Sequence, residues 1–158
     1  MDKAIICDID GVLLDTAFIF DKIEEDNLQG AEKWEYFNCH ANDYSVFSDT
    51  RIMKMLELYA HNGYKIFFLT ARSEEIFTET REKILFEQRL CGCKPFDFLL
   101  IMRPFKVSAP ADEVKYSALS ALKKAYNISF AIDDDLANCE MYAKHGILSL
   151  QVRKRGLL

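Results

Sequence analysis

No stretch of this sequence approaches the roughly 20 consecutive apolar residues of a membrane-spanning helix. The opening residues, "MDKAIICDID", put a single lysine before a short apolar run and then acids, which is unlike a secretory signal. Basic charge is in deficit: 20 Lys and Arg stand against 25 Asp and Glu, for a net charge of -5. Long nucleic acids are held by many Lys and Arg contacts to phosphates, so no extended nucleic-acid groove is expected, although a local basic pocket is compatible with this charge. There are no internal repeats and no low-complexity tracts. No G-x-x-x-x-G-K-[ST] loop occurs, so this chain carries no P-loop for kinase chemistry. The five cysteines (Cys7, Cys39, Cys91, Cys93 and Cys139) lack a zinc-site spacing. Cys91-Gly92-Cys93 has no second pair and reads as a turn. Reduced thiols in a cytoplasmic protein are the expectation. His40, His61 and His145 share no ligand spacing either.

What is present is a soluble, core-forming composition. Half of the 158 residues are hydrophobic, enough for one domain covering 1–158. Five apolar runs read as strands: "AIICDID", "YKIFFLTA", "FDFLLIM", "ISFAIDDD" and "ILSLQV". Continuous apolar strands are covered on both faces, as in parallel sheets. Amphipathic stretches alternate with them. One carries Ile52, Met55, Leu56 and Tyr59 on a stripe and stops at Gly63; another opens on Ser73; a third has Asp112 as its expected N-cap. The alternation predicts an α/β fold, a three-layer, doubly wound, Rossmann-like domain with a mainly parallel five-stranded sheet.

Residues 15–49 break the alternation. They are too many for a βα loop and rich in aromatics, including Phe18, Phe20, Trp34, Tyr36, Phe37, Tyr44 and Phe47. The expectation is a small helical cap inserted after the first strand, with its aromatics forming a satellite core. A base-stacking role competes with that reading.

In doubly wound sheets ligands bind beyond the carboxyl ends of the strands. There the first strand delivers Asp8 and Asp10, the second Thr70 and Arg72, and the fourth Asp133, Asp134 and Asp135. Lys115 starts the helix before the fourth strand. Clustered carboxylates repel one another or take up protons. A hard divalent cation resolves this, and Mg2+ favours one or two carboxylates with waters and a substrate phosphate. Lys115 and Thr70 then supply a charge and a donor for phosphate oxygens, which is what phosphoryl transfer requires. Asp8 suits a nucleophile and Asp10 a proton shuttle. Blander readings exist for each: a strand-end acid, a β-branched strand residue, a surface lysine. Arg72 and Arg103 are equally compatible with structural ion pairs, and Asp135 with an N-cap.

"DIDGVLLD", "FLTAR", "VK" and "AIDDDLAN" resemble, in order, the four motifs of the haloacid dehalogenase-like superfamily. By that resemblance Asp8 is the nucleophile, Asp10 the general acid/base, Thr70 and Lys115 the phosphate-binding residues. Asp134, with Asn138 four residues on, is the first choice for the metal ligand of the fourth motif and Asp133 the second. Asp8 and Asp10 of the first motif complete the expected Mg2+ site. Phosphatases of the superfamily carry the second Asp and its dehalogenases lack it. Val12 departs from the usual Thr. More narrowly, "GYKIFFLTARSE", "FLLIMRP", "DEVKYSAL" and "AIDDDLANCEMYAKHGI" are similar to the 3'-phosphatase domain of phage polynucleotide kinases. That likeness implies Arg72 and Arg103 near the phosphate and a substrate with a 3'-phosphate, on a nucleotide or a nucleic-acid end. A small-molecule phosphatase such as a 5'-nucleotidase, and a non-catalytic binding protein that keeps the fold, are the alternatives.

Overall fold

The apolar runs are rich in Ile and Phe, residues that pack well on a pleated surface, and each forms a strand. The computed structural model describes residues 1–153. The strands are β1 (Asp2–Cys7), β2 (Lys65–Ser73), β3 (Phe98–Arg103), β4 (Tyr126–Asp133) and β5 (Leu148–Gln151). They form one sheet in the order β3-β2-β1-β4-β5, with every neighbouring pair parallel. The helices are α1 (Ala17–Glu25), α2 (Gly30–His40), α3 (Thr50–His61), α4 (Phe77–Leu90), α5 (Ala111–Leu122) and α6 (Leu136–Lys144).

Side chains alternate across a strand, and β1 shows how this makes three layers. Ile5 and Cys7 join a core with Met53 and Leu56 of α3 and Ile84 of α4. Ala4 and Ile6 join a second core with Leu119 and Leu122 of α5 and Met141 and Tyr142 of α6. The chain lays down β2 and β3 on one side of β1, then β4 and β5 on the other. The switch point therefore lies between β1 and β4, and in doubly wound sheets that is where ligands bind beyond the strand ends.

Residues 15–49 hold α1 and α2. The expected satellite core is not what forms: Ile19, Ile23, Phe37, Ala41 and Val46 are buried in the same core as Met53 and Leu56. Phe37 anchors Phe20 and Trp34, with ring centroids 5.1 and 6.2 Å away. Trp34, Tyr44 and Phe47 remain exposed. The two ends of the segment are stitched together: the Asp15 N–H donates to the Phe47 carbonyl at 2.9 Å, and the Asp49 N–H to that of Leu13 at 2.7 Å.

Two helix starts differ from expectation. Asp112 is not the N-cap of α5; Pro110 takes that position, and Asp112 lies in the first turn, where an acid still favours the positive end of the helix dipole. Lys115 thus follows the first turn. The stretch opening on Ser73 begins as a 3-10 turn, Glu74–Ile76, capped by the Ser73 hydroxyl accepting from the Glu75 N–H. Asp135 does cap α6, accepting from the N–H groups of Ala137 and Asn138. Cys91-Gly92-Cys93 is a turn, with Gly92 at φ +67°, and the cysteines are unpaired.

Candidate active site

β1 ends at Cys7, and Asp8 is the first residue beyond it. Its N–H still donates to the Ile132 carbonyl of β4 at 2.9 Å, so the Asp8 backbone is held by the neighbouring strand. The chain then turns tightly. The N–H groups of Leu13 and Leu14 both donate to the Ile9 carbonyl at 2.9 Å, and Ile9, Leu13 and Leu14 are buried. This turn presents Asp8 and Asp10 at the sheet edge. Gly11 is required within it: φ is +76°, and a Cβ there would overlap the Asp134 carboxylate.

β4 delivers Asp133, which has no exposed surface. α5 turns Lys115 inward to meet it. The Lys115 Nζ lies 2.6 Å from Asp133 Oδ2 and 3.0 Å from Asp8 Oδ1, one buried cation between two carboxylates. Asp133 Oδ1 accepts from the Asp135 N–H at 3.0 Å and from Asn138 Nδ2 at 3.1 Å. Both oxygens of Asp133 are therefore engaged by protein donors. Carboxylate oxygens of Asp8, Asp133 and Asp134 converge within 4.8 Å of one another. Burial pushes the Asp8 carboxyl up to about 8; the Lys115 charge opposes that rise, and the Asp133 and Asp10 charges add to it. On Lys115, burial favours loss of the proton, but the charges of Asp8 and Asp133 prevail and raise its pKa. The adjacent Cys7 thiol is pushed well up by burial and the same acids, which makes it an inert core residue.

The Asp10 side chain is not in the three-acid cluster; it points to Arg72 and Thr16. Arg72 Nε lies 3.0 Å from Asp10 Oδ2, and Arg72 Nη2 lies 2.7 Å from Asp10 Oδ1. The Thr16 hydroxyl donates to Oδ1 at 3.1 Å. Arg72 itself is fully buried, and the rest of its guanidinium is also taken. Nη1 donates to Asn42 Oδ1 at 2.7 Å and to Thr80 Oγ1 at 3.3 Å, and Nη2 donates to the Ala41 carbonyl at 3.2 Å. An arginine has five N–H donors, and these contacts engage all of them. The Thr70 hydroxyl is buried and accepts the Arg72 N–H at 3.1 Å, which leaves its own proton to donate. Arg103 Nε donates to the Ala71 carbonyl at 3.0 Å, and its Nη1 to those of Val107 and Ala109. It fastens the loop between β3 and α5 to the end of β2.

Asp8, Lys115, Asp133 and Asp134 are thus brought together, while Asp10 and Arg72 form a second, adjoining pair. Thr16, Asn42 and Thr80 are the polar neighbours that sequence reasoning did not find. Thr80 looks like an ordinary position in a charged helix, and Asn42 is 30 residues from Arg72. An open groove of about 370 Å3 between α1 and α2, lined by Phe20, Glu24, Leu28 and Lys33 among others, contains none of these site residues.

Comparison with known proteins identifies the family and the fold. Residues 2–156 match the family described as the polynucleotide kinase PNKP phosphatase domain. No curated protein sequence matches. Among solved structures, the chain is similar to one in the Pnkp1/Rnl/Hen1 RNA repair complex, with a TM-score of 0.73 and 22% identity over 98% of this chain and 43% of that one. A second Pnkp1/Rnl/Hen1 complex gives a TM-score of 0.72 and 21% identity over 99% and 48%. This chain thus spans about half the length of those relatives. A haloacid dehalogenase-like hydrolase from Streptococcus pneumoniae has a TM-score of 0.66 and 14% identity over 98% of this chain and 88% of its own. At these identities the structures speak for the fold, and the family match speaks for the kind of enzyme. The chain belongs to the polynucleotide kinase phosphatase-domain family, and is a phosphatase of the haloacid dehalogenase superfamily.

Proposed function

We propose that this protein hydrolyses 3'-phosphates of nucleotides or nucleic-acid ends through a phosphorylated Asp8. The observation that carries the reading is the Asp8–Lys115–Asp133 array at the switch point, with Asp10 beside it. In the first step an Asp8 oxygen bonds to phosphorus as the ester P–O bond breaks, and Asp10 gives its proton to the leaving oxygen. In the second step Asp10 takes a proton from water. That water attacks the same phosphorus, releasing inorganic phosphate and restoring Asp8. Lys115 and the Thr70 hydroxyl stabilise charge on the transferring oxygens. Arg72 serves by orienting Asp10, and Arg103 by fixing the loop. Residues 15–49 act as the small cap of a single domain.

The donor set fits Mg2+: three carboxylates converge, with no nitrogen or sulfur ligand among them. Asp8 and Asp134 would hold the ion, both oxygens of Asp133 being engaged by Lys115, Asn138 and the Asp135 N–H, and the bound ion would supply positive charge to the carboxylates and the phosphate. The phosphatase-domain family match, together with neighbours from an RNA repair complex, favours a nucleic-acid 3' end over a small metabolite.

The test is phosphate release from matched 3'- and 5'-phosphorylated oligonucleotides and mononucleotides, with Mg2+ or with chelator. The expected result is preference for 3'-phosphates, dependence on Mg2+, and loss of about 10^3-fold or more in Asp8→Asn. Preference for 5'-mononucleotides overturns the substrate, and full activity in Asp8→Asn overturns the nucleophile.

A further inference from the structure

Residues 41–48 run along a stripe of α4 that is buried yet polar. Thr80, Lys83 and Glu87 are all buried there. At one end, Asn42 Nδ2 donates to Thr80 Oγ1 at 3.2 Å. At the other, the Ser48 hydroxyl and N–H donate to Glu87 Oε2 at 2.8 and 3.2 Å, and Lys83 pairs with Glu87 Oε1 at 2.8 Å. Positions 80 and 87 lie two turns apart on one helix face, so the segment is docked at two points. The Asn42 point alone touches Arg72. There Asn42 Oδ1, Thr80 Oγ1 and the Ala41 carbonyl accept the guanidinium protons on the side away from Asp10. A fully buried guanidinium aims where its acceptors lie, because each unmet donor costs free energy.

We propose that Asn42 and Thr80 are positioning residues for Asp10, acting through Arg72. This rests on the reading of Asp10 as the proton donor to the leaving oxygen. In that step the Asp8–phosphorus bond forms, the ester P–O bond breaks, and the Asp10 proton moves to the departing oxygen. An alkoxide needs that proton, whereas a nitrophenolate leaves readily without it. Misdirecting Asp10 therefore slows alkyl phosphates more than aryl phosphates. Loosened packing slows both alike.

The experiment measures kcat/KM on a nucleoside 3'-phosphate and on p-nitrophenyl phosphate for the wild type, Asn42→Ala, Thr80→Val, Thr80→Ser and Asp10→Asn. The melting temperature of each protein is recorded. The expected result is that Asn42→Ala and Thr80→Val lose about tenfold more on the alkyl ester than on the aryl ester, as a fraction of the general-acid effect. Thr80→Ser, which keeps the hydroxyl, restores the wild-type ratio, and Asp10→Asn shows the same bias more strongly. Equal loss on both esters, or no loss, in Asn42→Ala and Thr80→Val while Asp10→Asn is biased overturns the positioning role alone. No bias in Asp10→Asn overturns the proton-donor reading and this inference with it. Thr80→Val is nearly isosteric and carries the test if Asn42→Ala does not fold.

Discussion

Asp8 is held where a carboxylate is expensive. Its carboxyl, pushed up to about 8 by burial, keeps in the folded protein a proton that the unfolded chain releases near 3.8. More protons are then bound folded than unfolded across that interval, so stability falls as pH rises. The contribution is complete below the lower value and lost as pH passes the upper one. Asn at this position has no charge to bury, and Lys115 keeps Asp133 as partner. In metal-free buffer, thermal melts should therefore show Asp8→Asn gaining on the wild type from about pH 4 to about pH 8, with a constant difference above that. A constant difference across that interval as well would argue against the burial cost. Asp8, Thr70 and Lys115 were legible as candidate site residues because each stands where an apolar run or a helix meets the same sheet edge. What was hidden was the direction of the side chains. Arg72 stands beside Thr70 in sequence, yet its guanidinium is fully spent on Asp10, Asn42, Thr80 and the Ala41 carbonyl.

The strands were readable as elements because a strand buried on both faces must be apolar throughout. Their ends moved by a few residues: the run expected at Tyr64 to Ala71 is β2, Lys65–Ser73. Helix faces were less legible. Lys83 and Glu87 of α4 form an i,i+4 pair only 6% and 2% exposed, and Ser48, far away in sequence, donates to Glu87. That burial has an energetic consequence. Glu87→Ala strands a buried lysine and two Ser48 donors, which should cost about 3–5 kcal/mol. Asp135→Ala removes only the exposed N-cap of α6, at about 1 kcal/mol. Urea unfolding of both variants checks the ranking; equal losses would mean the α4 pair is solvated in solution.

At the scale of the whole molecule, three carboxylates from β1 and β4 meet at the switch point of the sheet. Their mutual repulsion works against folding, and a bound cation relieves it. A ligand that binds only the folded state stabilises it by about 2.7 kcal/mol at 100 times its Kd. Mg2+ should accordingly raise the melting temperature of the wild type, and a chelator should reverse the rise. Asp134→Asn should respond far less, since Asp133 is already occupied by Lys115, Asn138 and the Asp135 N–H. An undiminished Mg2+ response in Asp134→Asn would move the ion elsewhere.

The order of acids, hydroxyl and lysine along the chain, and the apolar runs that carry them, were determined by the sequence itself. Periodicity and strand-end chemistry are local properties, and they sufficed for the α/β sheet and for a cluster of acids at its edge. Only the tertiary structure decided which carboxylate pairs with which cation. It also decided that residues 15–49 join the main core, and that Asn42 and Thr80 stand behind Arg72. Those contacts link residues 8 to 62 positions apart. A hydrogen bond of about 3 Å between such groups exists only once the helices have docked.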